Sequence, residues 1–250
     1  MPSVVQVEFK APSIDKVSGL TVLLPDMQRR GPFPTLYLLH GLSDDHTVWT
    51  RRTALERYLD ETDLVVVMPD GHRSFYANDP RPGGLAYEDH IVKDVVGFVE
   101  QTFPVIPDRA HRAIAGLSMG GYGAIMLALR NRGMFSVAAS HSGALGYSHY
   151  QREWDAAPSD VDALARALQG EGYDCFELAG QMAREGQDVA LQIDCGTEDF
   201  LLQHNRDFHA HLEKLGVEHL YKEHPGAHSW GYWDEHIQQT LSFVLEHVGA

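Results

Sequence analysis

The chain of 250 residues has little cysteine, with Cys175 and Cys195 as its two thiols. Two cysteines are too few for a disulfide scaffold, and their spacing matches no zinc motif. A chain of this length buries enough surface to fold without either kind of cross-link. The 15 histidines include no H-E-x-x-H motif. We therefore expect a hydrophobic core without covalent or metal staples, and no metal site.

Positive charge and long apolar runs are also scarce. The chain has 20 Lys+Arg against 35 Asp+Glu, a net charge of −15, and no basic run. Such a chain repels phosphate backbones and anionic lipid surfaces, which disfavours nucleic acid and membrane as partners. No apolar stretch reaches the ~18–20 residues that span a bilayer. The start, Met1 to Glu8, lacks the features of a signal peptide, so we expect a cytoplasmic protein.

The sequence does contain apolar segments that alternate between strand-like and helix-like patterns. Strands are predicted at 4–9, 17–24, 35–39, 64–68, 112–116, 135–140, 189–193 and 218–222, and helices at 47–59, 87–103, 119–130, 205–215 and 232–248. The first two strands read as an antiparallel pair. The later alternation predicts an α/β fold with a mostly parallel sheet and helices on both faces. The length and composition fit one domain over residues 1–250.

The segment from about 143 to 186 interrupts this alternation. It is polar, and it holds two short helical patterns at 161–168 and 175–184. We interpret it as an insertion over one end of the sheet, a candidate lid or pocket wall. A surface excursion without contact to substrate is the alternative.

The motif with the clearest chemical meaning is Gly116-Leu117-Ser118-Met119-Gly120. It matches G-x-S-x-G and lies between a predicted strand and a predicted helix, as a nucleophile elbow requires. A sharp turn would strain the Ser118 backbone and bring the flanking positions close to other chain, where glycine is needed. The sequence therefore predicts Ser118 as a nucleophile, with a plain glycine-rich turn as the alternative.

A serine hydroxyl needs a base to remove its proton, and this kind of elbow predicts the chain order Ser, acid, His. Three carboxylates follow the strand at 189–193, namely Asp194, Glu198 and Asp199. Asp194 lies at or inside the strand end, so its direction is open. Asp199 precedes an apolar pair that could anchor its loop, and we favour it as the acid, with Glu198 next.

The base is expected after the next strand, where the sequence offers His224 and His228. His228 lies in a glycine-containing loop before the last helix, so its ring can reach over the sheet edge. We favour His228, with Asp199 fixing its tautomer and Ser118 giving up a proton to it.

An oxyanion intermediate requires two N–H donors. The backbone N–H groups of Met119 and Leu42 are the expected donors, because they follow the nucleophile and an early strand. Aromatic residues near these loops are candidate pocket walls, although each could equally be an ordinary core or rim residue: Trp49, Phe75, Tyr76, Tyr122 and Trp230.

Five motifs together carry a family resemblance: His40-Gly41-Leu42, Met68-Pro69-Asp70-Gly71-His72, Gly116-Leu117-Ser118-Met119-Gly120-Gly121, Gly196-Thr197-Glu198-Asp199-Phe200-Leu201 and Gly226-Ala227-His228-Ser229-Trp230. With them the chain resembles the esterase D / S-formylglutathione hydrolase-like family of α/β-hydrolases, and within it the bacterial tributyrin esterases. The resemblance implies an α/β-hydrolase fold with Ser118, Asp199 and His228 as the triad and Leu42 and Met119 as backbone oxyanion donors. It also implies hydrolysis of small acyl esters without a cofactor, commonly in a dimer or larger assembly such as a tetramer.

The leading functional hypothesis is a serine carboxylesterase for short-chain acyl esters that works through an acyl-enzyme. S-formylglutathione hydrolysis and the release of acetyl or feruloyl groups from plant polysaccharide are alternatives with the same chemistry. An acyltransferase would use the same triad but pass the acyl group to an alcohol. A non-catalytic binding module is disfavoured, because all three triad positions are filled.

Overall fold

The computed structural model describes residues 1–150 and 159–249. Within these ranges, eight strands form one sheet: β1 Ser3–Ala11, β2 Lys16–Leu24, β3 Thr35–Leu39, β4 Val65–Pro69, β5 Arg112–Leu117, β6 Val137–His141, β7 Ala190–Gly196 and β8 Leu220–His224. The sheet order is β1-β2-β4-β3-β5-β6-β7-β8. Strands β3 to β8 are parallel to one another, whereas β1 pairs antiparallel with β2 and β2 antiparallel with β4. The predicted mostly parallel sheet is confirmed.

The central strands are apolar throughout because helices cover both faces of the sheet. In β3, Leu36 and Leu38 face one apolar cluster, whereas Tyr37 and Leu39 face the other. All four side chains are inaccessible to solvent. Alternate residues of a strand point to opposite faces, so a continuous apolar run is what a doubly covered sheet requires.

The described residues form these helices: α1 Val48–Arg52, α2 Leu55–Tyr58, α3 Tyr87–Asp89, α4 Val96–Thr102, α5 Met119–Arg130, α6 Asp160–Leu168, α7 Cys175–Glu185, α8 Leu202–Leu215 and α9 Trp230–Val248. Helices α5, α7 and α8 contribute to one apolar cluster, and α1, α2 and α9 to the other. None of the described helices is long and apolar enough to cross a membrane.

Two predicted helices are interrupted. The helix predicted over 47–59 is instead α1 and α2, because Thr53 is extended and its hydroxyl donates to the carbonyl of Trp49 at 2.6 Å. A threonine hydroxyl that bonds the backbone competes with helix continuation. The helix predicted over 87–103 contains a π-helical segment, His90–Val95, between α3 and α4. Its predicted apolar face, with Ile91 and Val95, is buried.

The inserted segment is partly described. Helices α6 and α7 add apolar side chains such as Leu164, Phe176 and Met182 to the cluster beneath α5 and α8. The described part thus packs as core on one side of the sheet. Residues 151–158, which belong to the predicted lid, lie outside the described residues.

Candidate active site

Ser118 occupies the turn between β5 and α5. Its φ of 54° and ψ of −113° are unusual for a non-glycine residue, and such strain persists only where the surroundings hold it in place. Its backbone N–H donates to the carbonyl of His141 at 2.9 Å, and its carbonyl accepts from the N–H groups of Tyr122 and Ala144, each at 3.1 Å. The turn is therefore anchored from the neighbouring strand and from the loop that follows it.

The glycines on either side of Ser118 are required by close packing. A Cβ on Gly116 would lie 2.5 Å from the backbone of Gly120, and a Cβ on Gly120 would lie 2.6 Å from the carbonyl oxygens of Leu39 and His40. Backbone atoms cannot move aside as a flexible side chain can. The collision that the motif predicts at both positions is thus present in the structure.

Two further loops bring an imidazole and a carboxylate to Ser118. The His228 Nε2 atom lies 3.0 Å from the Ser118 hydroxyl oxygen, and its Nδ1 atom lies 2.8 Å from Oδ2 of Asp199. Asp199 follows β7 and His228 follows β8. Because parallel strands end at the same sheet edge, all three side chains meet there.

Asp199 is held in its ionised form. Burial raises the pKa of this carboxyl, but the hydrogen bonds from His228, from the Leu201 N–H and from the Ser142 hydroxyl together bring the pKa below its ordinary 3.8. A carboxylate in this state accepts from an Nδ1–H group and leaves Nε2 of His228 free to accept a proton.

The other candidates for the acid and the base have different surroundings. Glu198 is exposed, and its Oε2 accepts from the Gly226 N–H at 2.6 Å, which braces the loop that carries His228. Asp194 lies inside β7, is buried and accepts from the Tyr232 hydroxyl at 2.9 Å. The ring of His224 stacks on another histidine, His236, at 4.1 Å. Among the described residues, none of these three side chains hydrogen-bonds to Ser118, whose hydroxyl contacts His228.

Two backbone N–H groups next to Ser118 are unengaged. Neither the Leu42 nor the Met119 N–H donates to an acceptor among the described residues. Met119 is the first residue of α5, where the N–H groups point out of the helix. His40, which precedes the Leu42 loop, has a structural arrangement, since its Nε2 accepts from the Gly71 N–H at 2.8 Å.

An open cleft of about 490 Å³ lies beside Ser118. It is lined by Gly41, Leu42, Asp44, Arg52, Leu117, Ser118, Phe200, His228, Ser229, Trp230 and Trp233. The His228 ring contacts two aromatic rings, with centroid distances of 4.5 Å to Phe200 and 4.9 Å to Trp233. Phe200 is 75% exposed, so it forms an outer wall and does not anchor its loop. Leu201, which is buried, has that anchoring role.

Four of the five aromatic residues predicted as pocket walls, including Phe75, lie elsewhere. Trp49, Tyr76 and Tyr122 are each 0% exposed and do not line the cleft. Each has its polar atom bonded inside the protein; for example, the Tyr76 hydroxyl donates to the carbonyl of His40 at 2.9 Å. Phe75 is also buried, in a ring stack with Tyr147. These residues support the loops from within, and Trp230 is the one of the predicted set that reaches the cleft.

Sequence reasoning missed several residues of the site. Ser142 lies in the turn after β6, and Arg52 and Asp44 line the cleft. A signal for Ser142 was its place directly after a parallel strand, at the same sheet edge as Ser118. Nothing in the local sequence marks Arg52, because α1 was predicted as part of a longer helix.

No group of three or more potential ligands arranged to hold a metal ion occurs in residues 1–150 and 159–249. The side chains at the cleft are arranged for proton transfer through His228 and nucleophilic attack by Ser118, with two free N–H groups beside it.

Comparison with known proteins finds that this chain is similar to esterases and serine hydrolases. Residues 11–244 match the Esterase family model. An acetyl esterase from Caldicellulosiruptor saccharolyticus is 25% identical over 269 residues, covering 97% of this chain and 98% of that protein. Two structures from Staphylococcus aureus are each 33% identical. The fluorophosphonate-binding serine hydrolase F has a TM-score of 0.86 with 98% of both chains covered.

The second S. aureus structure, an S-formylglutathione hydrolase, has a TM-score of 0.85 and covers 98% of this chain and 99% of that one. The match to the family model spans most of the chain, and the fold similarity spans nearly all of it. The chain therefore belongs to the Esterase family, in the esterase D / S-formylglutathione hydrolase-like group of α/β-hydrolases, and is a carboxylic ester hydrolase.

Proposed function

We propose that this protein is a serine carboxylesterase that hydrolyses short-chain acyl esters, with Ser118, His228 and Asp199 as its catalytic triad. The observation that carries the proposal is the continuous chain of contacts, 3.0 Å from the Ser118 hydroxyl to Nε2 of His228 and 2.8 Å from Nδ1 to Asp199. In the proposed reaction, His228 takes the Ser118 proton while Oγ attacks the ester carbonyl carbon.

The tetrahedral intermediate then collapses. The carbon–oxygen bond to the leaving group breaks, His228 gives its proton to the departing oxygen, and an acyl-Ser118 ester remains. A water molecule then attacks the acyl carbonyl carbon while His228 takes its proton. The bond to Ser118 Oγ breaks, His228 returns the proton to Ser118, and the carboxylic acid is released. Asp199 stabilises the imidazolium and fixes the tautomer throughout.

The negative charge on the intermediate's oxygen needs donors that are already in place. The N–H groups of Leu42 and Met119 are proposed for this role, since neither has a partner among the described residues. Each such donor contributes about 3–4 kcal/mol to barrier reduction.

A preference for short acyl groups is supported by the packing behind Ser118. Met119, Tyr122 and Leu145 fill the interior next to the turn and are almost inaccessible to solvent. An acyl chain therefore lies in the open cleft rather than in a buried tunnel. The acetyl esterase from C. saccharolyticus points to the same size of acyl group.

Substitution of the nucleophile tests the proposal. Ser118→Ala is expected to abolish hydrolysis of 4-nitrophenyl acetate and butyrate, because no other described hydroxyl lies within hydrogen-bonding reach of His228. The control is thermal unfolding of the variant, which should match the wild type within a few degrees. Turnover that survives the substitution would refute the role of Ser118.

The similar S-formylglutathione hydrolase from S. aureus favours a thioester as a second candidate substrate. A panel with an acylated thiol, an acetylated sugar and a feruloyl ester would separate this candidate from the plant-polysaccharide alternative. Adding methanol and measuring methyl ester formation against free acid would reveal an acyltransferase. The open cleft admits water, which supports hydrolysis.

A further inference from the structure

One guanidinium group, that of Arg52, lines the cleft beside Ser118. Among the described residues, this group has no carboxylate partner. Arg52 is the last residue of α1, is exposed and lines the cleft together with Ser118 and His228. The neighbouring arginine of the same helix is engaged, since Arg51 donates to the Thr47 hydroxyl at 2.7 Å and pairs with Asp45 at 3.5 Å.

The other charged side chain of the cleft is Asp44. Burial raises the pKa of Asp44, and the nearby charges of His40, Arg51 and, least of all, Arg52 oppose that rise. Asp44 and Arg52 line the same cleft without forming an ion pair. Asp44 lies close to Gly41, whose Cβ position would be 3.3 Å from its Oδ2. The carboxylate of Asp44 thus lies at the loop that carries the Leu42 N–H group, whereas Arg52 belongs to α1.

Two contacts place the end of α1 on the imidazole side of the cleft. The rings of Trp49 and Trp230 meet edge to face with centroids 5.3 Å apart, and the Ala54 N–H donates to Asp234 at 2.7 Å. Trp230 and Asp234 belong to the first turns of α9, directly after His228. Residue 52 lies between the two contacts in the chain, so its backbone is held beside the start of α9.

The imidazole side is where a leaving group departs, because His228 has to protonate the departing atom. A guanidinium without a partner binds a carboxylate through paired N–H···O bonds. We propose that Arg52 recognises a carboxylate on the leaving group. The enzyme would then prefer esters and thioesters whose alcohol or thiol part carries a carboxylate. This inference rests on the proposed function, since it assumes that His228 protonates the leaving group.

The matched substrates for the test are 4-acetoxybenzoate and 4-acetoxybenzamide, which share the acetyl group and differ in the charge of the leaving group. Arg52→Gln is expected to lower kcat/KM for the carboxylate about three- to tenfold more than for the amide, the range for a partly solvated charged contact. Because each variant is measured on both esters, the difference in intrinsic leaving-group reactivity cancels. Arg52→Lys should retain part of the preference.

Arg51→Gln is the matched control, since Arg51 is the neighbouring arginine on the same helix but does not line the cleft. It should leave the ratio of the two kcat/KM values unchanged. A second pair, 4-nitrophenyl monosuccinate and its methyl ester, carries the charge on the acyl side. An unchanged ratio in Arg52→Gln, or a larger effect on the succinate pair, would overturn the inference. Wild-type protein inactive on all four esters would instead overturn the proposed function.

Discussion

At the scale of single residues, Asp199 and Glu198 show how adjacent carboxylates acquire different tasks. Both follow β7, but Asp199 is 6% exposed and contacts His228, whereas Glu198 faces solvent and bonds the Gly226 N–H. A buried carboxylate next to an imidazole can stabilise the cation that forms during catalysis. An exposed carboxylate bound to a backbone amide positions a loop.

This difference predicts unequal costs of removing the two charges. Asp199→Asn is expected to lower kcat for 4-nitrophenyl acetate by about 10³–10⁴-fold, because the amide favours the wrong tautomer of His228. Glu198→Gln should cost less than about tenfold, since its side-chain oxygen can still accept from Gly226. Steady-state kinetics of both variants measures the contrast, and the opposite order would move the acid role to Glu198.

The lowered pKa of Asp199 also predicts how stability depends on pH. A carboxyl whose pKa is lower in the folded state stabilises the fold above its unfolded pKa, and loses that contribution as the pH falls through the folded value. Because the folded pKa of Asp199 lies below 3.8, its contribution should be complete at pH 5 and should vanish only under more acidic conditions. Urea unfolding of wild type and Asp199→Asn from pH 3 to 5 measures this difference. A difference that already shrinks at pH 5 would contradict it.

Residue-scale prediction from the sequence worked where chain order constrains position. The G-x-S-x-G turn and the loops after β7 and β8 placed Ser118, Asp199 and His228 at one sheet edge, although their catalytic roles stay a proposal. It was wrong for Trp49 and Tyr122, whose rings point into the core. The direction of a large side chain depends on neighbours distant in sequence, which local patterns do not encode.

At the scale of secondary-structure elements, the β5–α5 turn is the most tightly constrained junction. A Cβ at Gly116 would meet the backbone of Gly120 at 2.5 Å, and backbone of this kind cannot yield without moving α5 away from the sheet. The junction therefore couples helix packing to the position of Ser118.

Gly116→Ala is expected to lower the free energy of unfolding by about 1–3 kcal/mol and to reduce activity as Ser118 shifts. Gly97→Ala is the matched control, because Gly97 lies in α4 with no atom within 4 Å of its Cβ position. There the substitution should stabilise the helix by about 0.5–1 kcal/mol. Chemical denaturation of the two variants measures both effects. Equal stability of the two variants would show that the turn has more room than its geometry indicates.

Element types were predictable from apolar periodicity, and α5 begins and ends where the pattern indicates. The interruption at Thr53 could not be predicted from this periodicity, because a hydrogen bond from the Thr53 hydroxyl to the backbone leaves the apolar spacing of the segment unchanged. The role of the segment at 143–186 as a lid stays a prediction. Its described helices α6 and α7 do not line the cleft, and they pack as core.

At the scale of the whole molecule, the two cysteines lie in separate regions of the fold, so the reactivity of each thiol can be used to measure unfolding of its own region. Cys175 begins α7 in the inserted segment, and Cys195 lies in β7 of the central sheet. Both are buried and unpaired, and burial raises the pKa of each thiol well above its ordinary value. Burial therefore disfavours the reactive thiolate form of both cysteines in the folded protein at neutral pH.

A thiol reagent such as dithionitrobenzoate is therefore expected to label neither cysteine in the native protein and both in denaturant. Comparing Cys175→Ser with Cys195→Ser separates the two rates. Because α7 contributes to the same apolar cluster as α5 and α8, both thiols should become reactive together, as the molecule unfolds globally. Faster labelling of Cys175 would show that the inserted segment opens by itself.

The assembly of the site from distant parts of the chain has a practical consequence. The serine and the imidazole are 110 positions apart, and the strands that carry them are joined only through β6 and β7. A one-residue slip of β8 against β7 would turn the loop that carries the base away from the hydroxyl. An irreversible acylating or phosphonylating reagent should thus label only molecules in which β8 pairs with β7 in the native register. The labelled fraction of a preparation then measures the correctly folded fraction, because misfolded chains have no activated Ser118 oxygen.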